Sequence, residues 1–110
     1  MAFKGDLEAL ILAVLAEREL HGYEISKQIR LLSGEILKYG EGQLYPALHK
    51  LEDEGHIGAK WIPQSGKPDR KVYHITPSGS TELDRHKSAW KKFVSGVGAI
   101  LTNHSTEVTK

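Results

Sequence analysis

The sequence contains no cysteine. That absence excludes a disulfide framework, a thiolate metal site and a cysteine nucleophile, and it leaves the compartment unfixed by redox chemistry. Long apolar runs are missing as well: none approaches the roughly 20 residues that a membrane-spanning helix needs. The start, "MAFKGDLEAL", lacks the charged-then-apolar layout of a secretory signal, so a cytoplasmic protein without a membrane partner is the default expectation. A large charge of either sign is also lacking, the net charge being only +1. Taken alone this argues weakly against a nucleic-acid partner, but the distribution matters more than the sum. Within residues 60–71, Lys60, Lys67, Arg70 and Lys71 outnumber the single acid Asp69, while Glu52, Asp53 and Glu54 cluster apart.

The machinery of catalysis is absent too. Serines and histidines occur, but no nucleophile elbow, paired carboxylates or phosphate-cradling glycine loop accompanies them, and no enzyme is expected. "HGYE" sets His21 and Glu24 three apart, short of the three or four converging ligands of a metal site, so neither metal nor cofactor is expected. What is present fits one compact domain: 110 residues, 39% hydrophobic and 26% charged.

In "DLEALILAVLAER", Leu7, Leu10, Ile11, Val14 and Leu15 mark one face of a helix, with Asp6 placed to cap its amino end. A second helix is expected from about Tyr23 to Ser33, with Ile25, Ile29 and Leu32 inward, Lys27 and Arg30 on the polar side, and Gly34 as the stop. The third lies in "GEGQLYPALHKLEDEGHI", residues 40–57, starting near Gly42 and ending at Gly55. Leu44, Ala47, Leu48 and Leu51 form its apolar face; Gln43, Tyr45, Pro46, His49 and Lys50 cover the other side. Pro46 is read into the first turn, where its missing N–H costs nothing.

After Gly55 the period changes to 2. Ile57, Ala59 and Trp61 begin one strand, "PQSGKPDR" reads as a turn-rich loop, and "KVYHI" returns as a second strand, giving a hairpin with a long, basic tip. Trp61 is expected to pack the hairpin on the body. Thr76 and Pro77 then open a last helix as N-cap and first helical residue, continuing to about Leu101. Three helices, a hairpin and a fourth helix make a mostly α fold with a small β-hairpin, laid out as a winged helix-turn-helix plus one long carboxyl-terminal helix.

In that layout the third helix enters the major groove. Gln43 can pair with adenine, His49 or Lys50 can reach guanine acceptors or phosphate, and Tyr45 can donate to phosphate. The solvated alternative packs Tyr45 against the second helix. The acidic residues 52–54 sit at the far end, where repulsion from phosphate would tilt the amino-terminal turn into the groove. Lys67, Arg70 and Lys71 are candidate wing anchors, and Lys4, Lys27 and Arg30 lesser ones. On the last helix Leu83, Trp90 and Val97 repeat every seven residues, with Phe93, Val94, Ile100 and Leu101 filling the intermediate turns. Such a stripe needs a partner, and a second copy of the chain is the economical one. Two-fold symmetry would set two third helices about 34 Å apart on a near-palindromic site. Paired Trp90 indoles, with Phe93 and Ile11, could also hold a small aromatic effector.

"LEALILAVLAERELHGYEI", "LYPALHKLEDEGHI" and "YHITPSG" closely resemble the PadR family of bacterial transcriptional regulators, over residues 4 to about 100. The resemblance implies a winged-helix homodimer joined through the last helix, operator DNA as target, and repression relieved by a small molecule. It is to the compact branch, with residues 1–76 as DNA-binding domain, 77–102 as dimerisation helix of the same unit, and 103–110 as a flexible tail. The hairpin tip "SGKPDR" departs from the family in its scarcity of arginine, so recognition is expected to rest more on the helix than on the wing. The rival reading is a winged-helix protein–protein module that uses the same third helix on a protein partner.

Overall fold

A computed structural model describes residues 6–108, with side chains to residue 102. Helices α1 (Asp6–Glu17), α2 (Gly22–Leu32), α3 (Glu41–Asp53) and α4 (Pro77–Val108) accompany strands β1 (Leu20–His21), β2 (Ile57–Gln64) and β3 (Lys67–Ile75). The sheet is antiparallel in the order β1-β3-β2. Leu20 pairs with Tyr73 on one side of β3, and Ala59 with the same Tyr73 on the other. The two-residue β1 has no periodicity to betray it; it is extended because the chain must cross from α1 to α2 along the free edge of β3.

One apolar core joins all these elements. Ile11, Leu12, Ile25, Leu44, Leu48, Leu51 and Ile57 are fully buried, and Tyr73 and Leu83 close the cluster. Helix α1 is central, in contact with α2, α3, β3 and α4. It buries Leu12 and Ala9 together with Ile11, Val14 and Leu15 of the expected stripe, while Leu7 and Leu10 stay half-buried. Ile11, expected beside an effector, lies wholly inside this core. Leu32, expected inward, is 72% exposed because α2 ends there, past the edge of the core.

Both inner helices stop as their glycines require. At the end of α2, Glu35 N–H bonds the Arg30 carbonyl and Gly34 N–H bonds that of Leu31; at the end of α3, His56 N–H bonds Leu51 and Gly55 N–H bonds Glu52. This pairing satisfies carbonyls the helix leaves open and needs a positive φ, here +66° at Gly34 and +78° at Gly55. Helix α4 starts as expected: Thr76 Oγ1 accepts from Gly79 N–H at 3.1 Å, and Pro77 occupies the first helical position. Thr76 also donates from Oγ1 to the Gly55 carbonyl (2.7 Å) and from N–H to that of His56 (3.1 Å). One residue thus caps α4 and ties it to the end of α3. Asp6 is itself helical and so not a cap, and its carboxylate accepts from the Tyr39 hydroxyl at 3.1 Å.

The hairpin differs most from expectation. Its strands run through the supposed loop, with Gln64 paired to Lys67 and a turn of only Ser65 and Gly66 between them. Gly66 takes φ +69°, and Pro63 sits on the edge strand where the register slips. Trp61 lies 63% exposed on this projecting ribbon and does not pack it on the body. Helix α4 also outlasts the expected end near Leu101, continuing to Val108, since no glycine or proline breaks the backbone there. Among the described residues no helix is long and apolar enough to cross a membrane.

Gly79 offers a test of the α4 seam. A Cβ there would strike the His56 carbonyl. Although alanine in a helix ordinarily gains about 1 kcal/mol over glycine, Gly79→Ala is expected to cost about 1–3 kcal/mol by overpacking. Urea denaturation reads the difference; an unchanged or raised midpoint would contradict this close approach.

Candidate nucleic-acid interface

The leucine stripe of α3 decides what its other side can do. With Leu44, Leu48 and Leu51 each at most 2% exposed, the helix cannot rotate, and Gln43, Pro46 and His49 are held in solvent. Gly40 provides the N-cap and Glu41 the first turn, one residue earlier than expected. Pro46 is consequently sixth in the helix, beyond the first turn, and the Gly42 carbonyl receives no helical N–H from it. That carbonyl lies at an exposed residue where water can reach it.

The remaining α3 candidates are less free. Tyr45 is 37% exposed and its ring lies over the start of α2: a Cβ built on Gly22 would stand 2.7 Å from its hydroxyl. The missing side chain at Gly22 gives the phenol its seat, so Tyr45 presents an edge and not a whole ring. Lys50 reaches back to α1 and donates to Glu8 at 3.0 Å, a bond that raises its pKa. It fastens α3 to α1 and does not project with Gln43 and His49.

The hairpin cations divide in the same way. Lys67 and Arg70 are exposed near the tip. With its amide nitrogen turned to the Pro68 carbonyl, Gln64 accepts from Arg70 Nε at 3.1 Å. Lys71 instead turns inward, 6.0 Å from the Trp61 ring centre and 5.2 Å from that of Tyr73, and donates to Glu52 at 3.1 Å. Burial alone would lower the Lys71 pKa, but Glu52 and Tyr73 raise it, so the cation is fixed in place. Lys60 pairs with Glu19 at 3.0 Å. The acidic patch at the end of α3 is thus partly spent on holding the wing, a use that the bare charge pattern did not disclose.

On α2, Lys27 is exposed, while Arg30 pairs with Glu35 at 3.2 Å. Lys4 lies outside the described residues. Among the described residues no group of three His, Cys, Asp or Glu side chains could hold a metal ion. The structure therefore leaves Gln43, His49 and part of Tyr45 open on α3, Lys27 open on α2, and Lys67 and Arg70 open on the hairpin.

Helix α4 carries the second candidate surface. Leu83 is buried in the chain's own core and so is covered without a partner. Beyond it Trp90, Val94, Val97, Ile100 and Leu101 are 40–70% exposed. Phe93 is half-buried and stacks on Trp90, with ring centres 5.9 Å apart. Where α4 leaves α1, a groove of about 630 Å³ opens between Leu10, Ala13, Leu83 and Trp90, with Asp6 and Lys87 on its rim.

Residues 11–85 match the transcriptional regulator PadR-like family. The chain is 38% identical over 77 residues to the negative transcriptional regulator PadR of Bacillus subtilis, spanning 42% of that protein, and 33% identical over 97 residues to a probable transcriptional regulator of Mycobacterium tuberculosis, spanning 51% of it. It covers about half the length of these relatives. Among solved structures, a transcriptional regulator from Clostridium thermocellum superposes with a TM-score of 0.80 at 30% identity, covering 86% of this chain and 92% of that one. Bacillus subtilis PadR in complex with operator DNA superposes with a TM-score of 0.66 at 37% identity, over 72% of this chain and 45% of that one.

His21, at the junction of β1 and α2, has its pKa lowered by burial and by Arg70, with Glu24 opposing at 3.4 Å. The unfolded chain therefore takes up this proton first as pH falls through 6.5, so stability drops below that pH and the loss saturates once folded His21 is itself protonated. Replacing His21 with Gln is expected to flatten this part of the profile. Urea midpoints on either side of pH 6.5 check it, and equal pH dependence in the two proteins would contradict the assignment.

Proposed function

The chain belongs to the PadR-like family of transcriptional regulators, and from that premise we propose that it represses transcription by binding a palindromic operator as a homodimer. The observation that carries this reading is the fixed orientation of α3: three buried leucines hold the helix while Gln43 and His49 stand in solvent. Side chains that must read base edges need such a support, because a bidentate contact tolerates little displacement. The complex of Bacillus subtilis PadR with operator DNA and that relative's designation as a negative regulator support the same reading. Members of this family regulate transcription and are not enzymes.

Gln43 and His49 would read bases, with Tyr45 placing its hydroxyl at a phosphate. Lys27, Lys67 and Arg70 would take phosphates, while Lys50 and Lys71 contribute by holding α3 and the wing in position. Residues 1–76 would form the DNA-binding part and 77–102 the dimerising helix. A second copy would cover Trp90, Val94, Val97 and Leu101, since exposed apolar residues repeating along one helix are the usual mark of a helical partner. The groove beside Trp90 and Leu10 has the size and apolar lining to receive a small aromatic effector, whose binding would release the operator.

Two outcomes follow. Gln43→Ala should lose about 1–3 kcal/mol of discrimination between a duplex selected from random sequence and a scrambled one, measured by competition binding; undiminished preference would refute the role of Gln43. Val97→Glu should yield monomers in equilibrium sedimentation, and a persisting dimer would place the interface elsewhere.

A further inference from the structure

A second cavity, of about 230 Å³, shares Tyr39 as a lining residue with the apolar groove. Its other lining residues are Tyr23, Ser26, Lys27, Arg30 and Lys38. Three of these six residues are cations and none is an acid. Only Arg30 among them meets a carboxylate, that of Glu35, so the cleft keeps a positive potential that favours an entering anion.

The pairing of the other cations sharpens the contrast. Lys50, Lys60 and Lys71 each hold a glutamate within 3.1 Å. Among the described residues no carboxylate pairs with Lys27 or Lys38. Arg30 meets Glu35 through Nη1 alone, and the guanidinium has further N–H donors to offer. The wall is already built, for the Tyr39 hydroxyl donates to Asp6, 33 residues away on α1. An anion entering such a cleft has little to order. Its place in the chain is equally definite: Lys38 and Tyr39 immediately precede Gly40, the N-cap of α3. The cleft therefore flanks the end of the helix that carries Gln43.

We propose that this cleft is a phosphate subsite, holding one backbone phosphate of the duplex alongside the groove that α3 enters. The proposal rests on the DNA-binding reading above, and it adds Lys38 and Tyr23 to the residues that contact DNA. Phosphate oxygens suit the cleft because cations and a phenol can donate to them, and no base edge needs to enter. The same chemistry would also admit free orthophosphate, and the experiment separates the two sources.

The test uses the full chain and a short duplex of mixed sequence, because a phosphate contact ignores sequence. Affinity is measured by fluorescence anisotropy from about 50 to 200 mM salt, where each neutralised phosphate contributes about 0.9 to the log–log slope. Both lysines are exposed, so glutamine variants keep the fold. Lys27→Gln and Lys38→Gln should each flatten the slope, and the double variant should lose no more than about 0.9 in all, because both cations serve one phosphate. A double variant with the wild-type slope would overturn the proposal, as would a loss near 1.8, which would mean two separate contacts. Calorimetric binding of orthophosphate that the double variant abolishes, together with an unchanged duplex slope, would assign the cleft to a free anion and also overturn it. Wild-type protein that ignores the duplex, or binds it without salt dependence, would instead sink the DNA-binding reading itself.

Discussion

Burial of one side of α3 is the constraint on which the rest of the structure depends. Leu44, Leu48 and Leu51 lie one helical turn apart and meet Ile11, Leu12, Ile25 and Ile57 in the core. Each contributes about 1.5–3 kcal/mol on leaving water. Rotating α3 by even one position would expose a leucine and bury a polar side chain. The direction in which Gln43 and His49 point is therefore a consequence of the core. The outer face is held as firmly as the packing on the inner one.

The same helix fixes the wing. The turn at Gly55 directs the chain from α3 into β2, Thr76 clamps the returning strand to that turn, and Glu52 holds Lys71 from the last turn of α3. Strand β3 continues beyond this clamp as a two-stranded ribbon bearing Lys67 and Arg70. An ion pair as exposed as this one contributes at most about 1 kcal/mol to stability. Its larger effect is to set the angle at which the ribbon leaves the body. Tyr39 is likewise anchored, by its bond to Asp6 of α1, and lines both the apolar groove and the basic cleft.

Much of this was legible in the sequence, for local reasons. The helices of the core declare themselves by leucine spacing, and Gly34, Gly55, Thr76 and Pro77 mark ends because each has one backbone geometry to satisfy. Other features depended on tertiary neighbours and left no periodic trace. Leu12, off the expected stripe, is buried because α1 is packed by several elements at once. Prolines suggested a long loop where paired strands carry Pro63 on an edge. Lys50 and Lys71 look like any surface cation until Glu8 and Glu52 are placed beside them, and Tyr45 looks free until the absent side chain of Gly22 is seen to accommodate it. Lys38 and Tyr39 lie in a connection with no repeat, where only the folded chain shows what they line.

The central claim is spatial: two copies joined along α4 should present their α3 helices to successive major-groove openings of one duplex. The lack of cysteine makes this directly measurable, since a single Gln43→Cys variant accepts one spin label per chain and no other. Pulsed dipolar spectroscopy on the labelled protein should give one distance near 34 Å, the rise of a DNA turn between half-sites. An absence of dipolar coupling, or a separation far from one turn, would contradict the account.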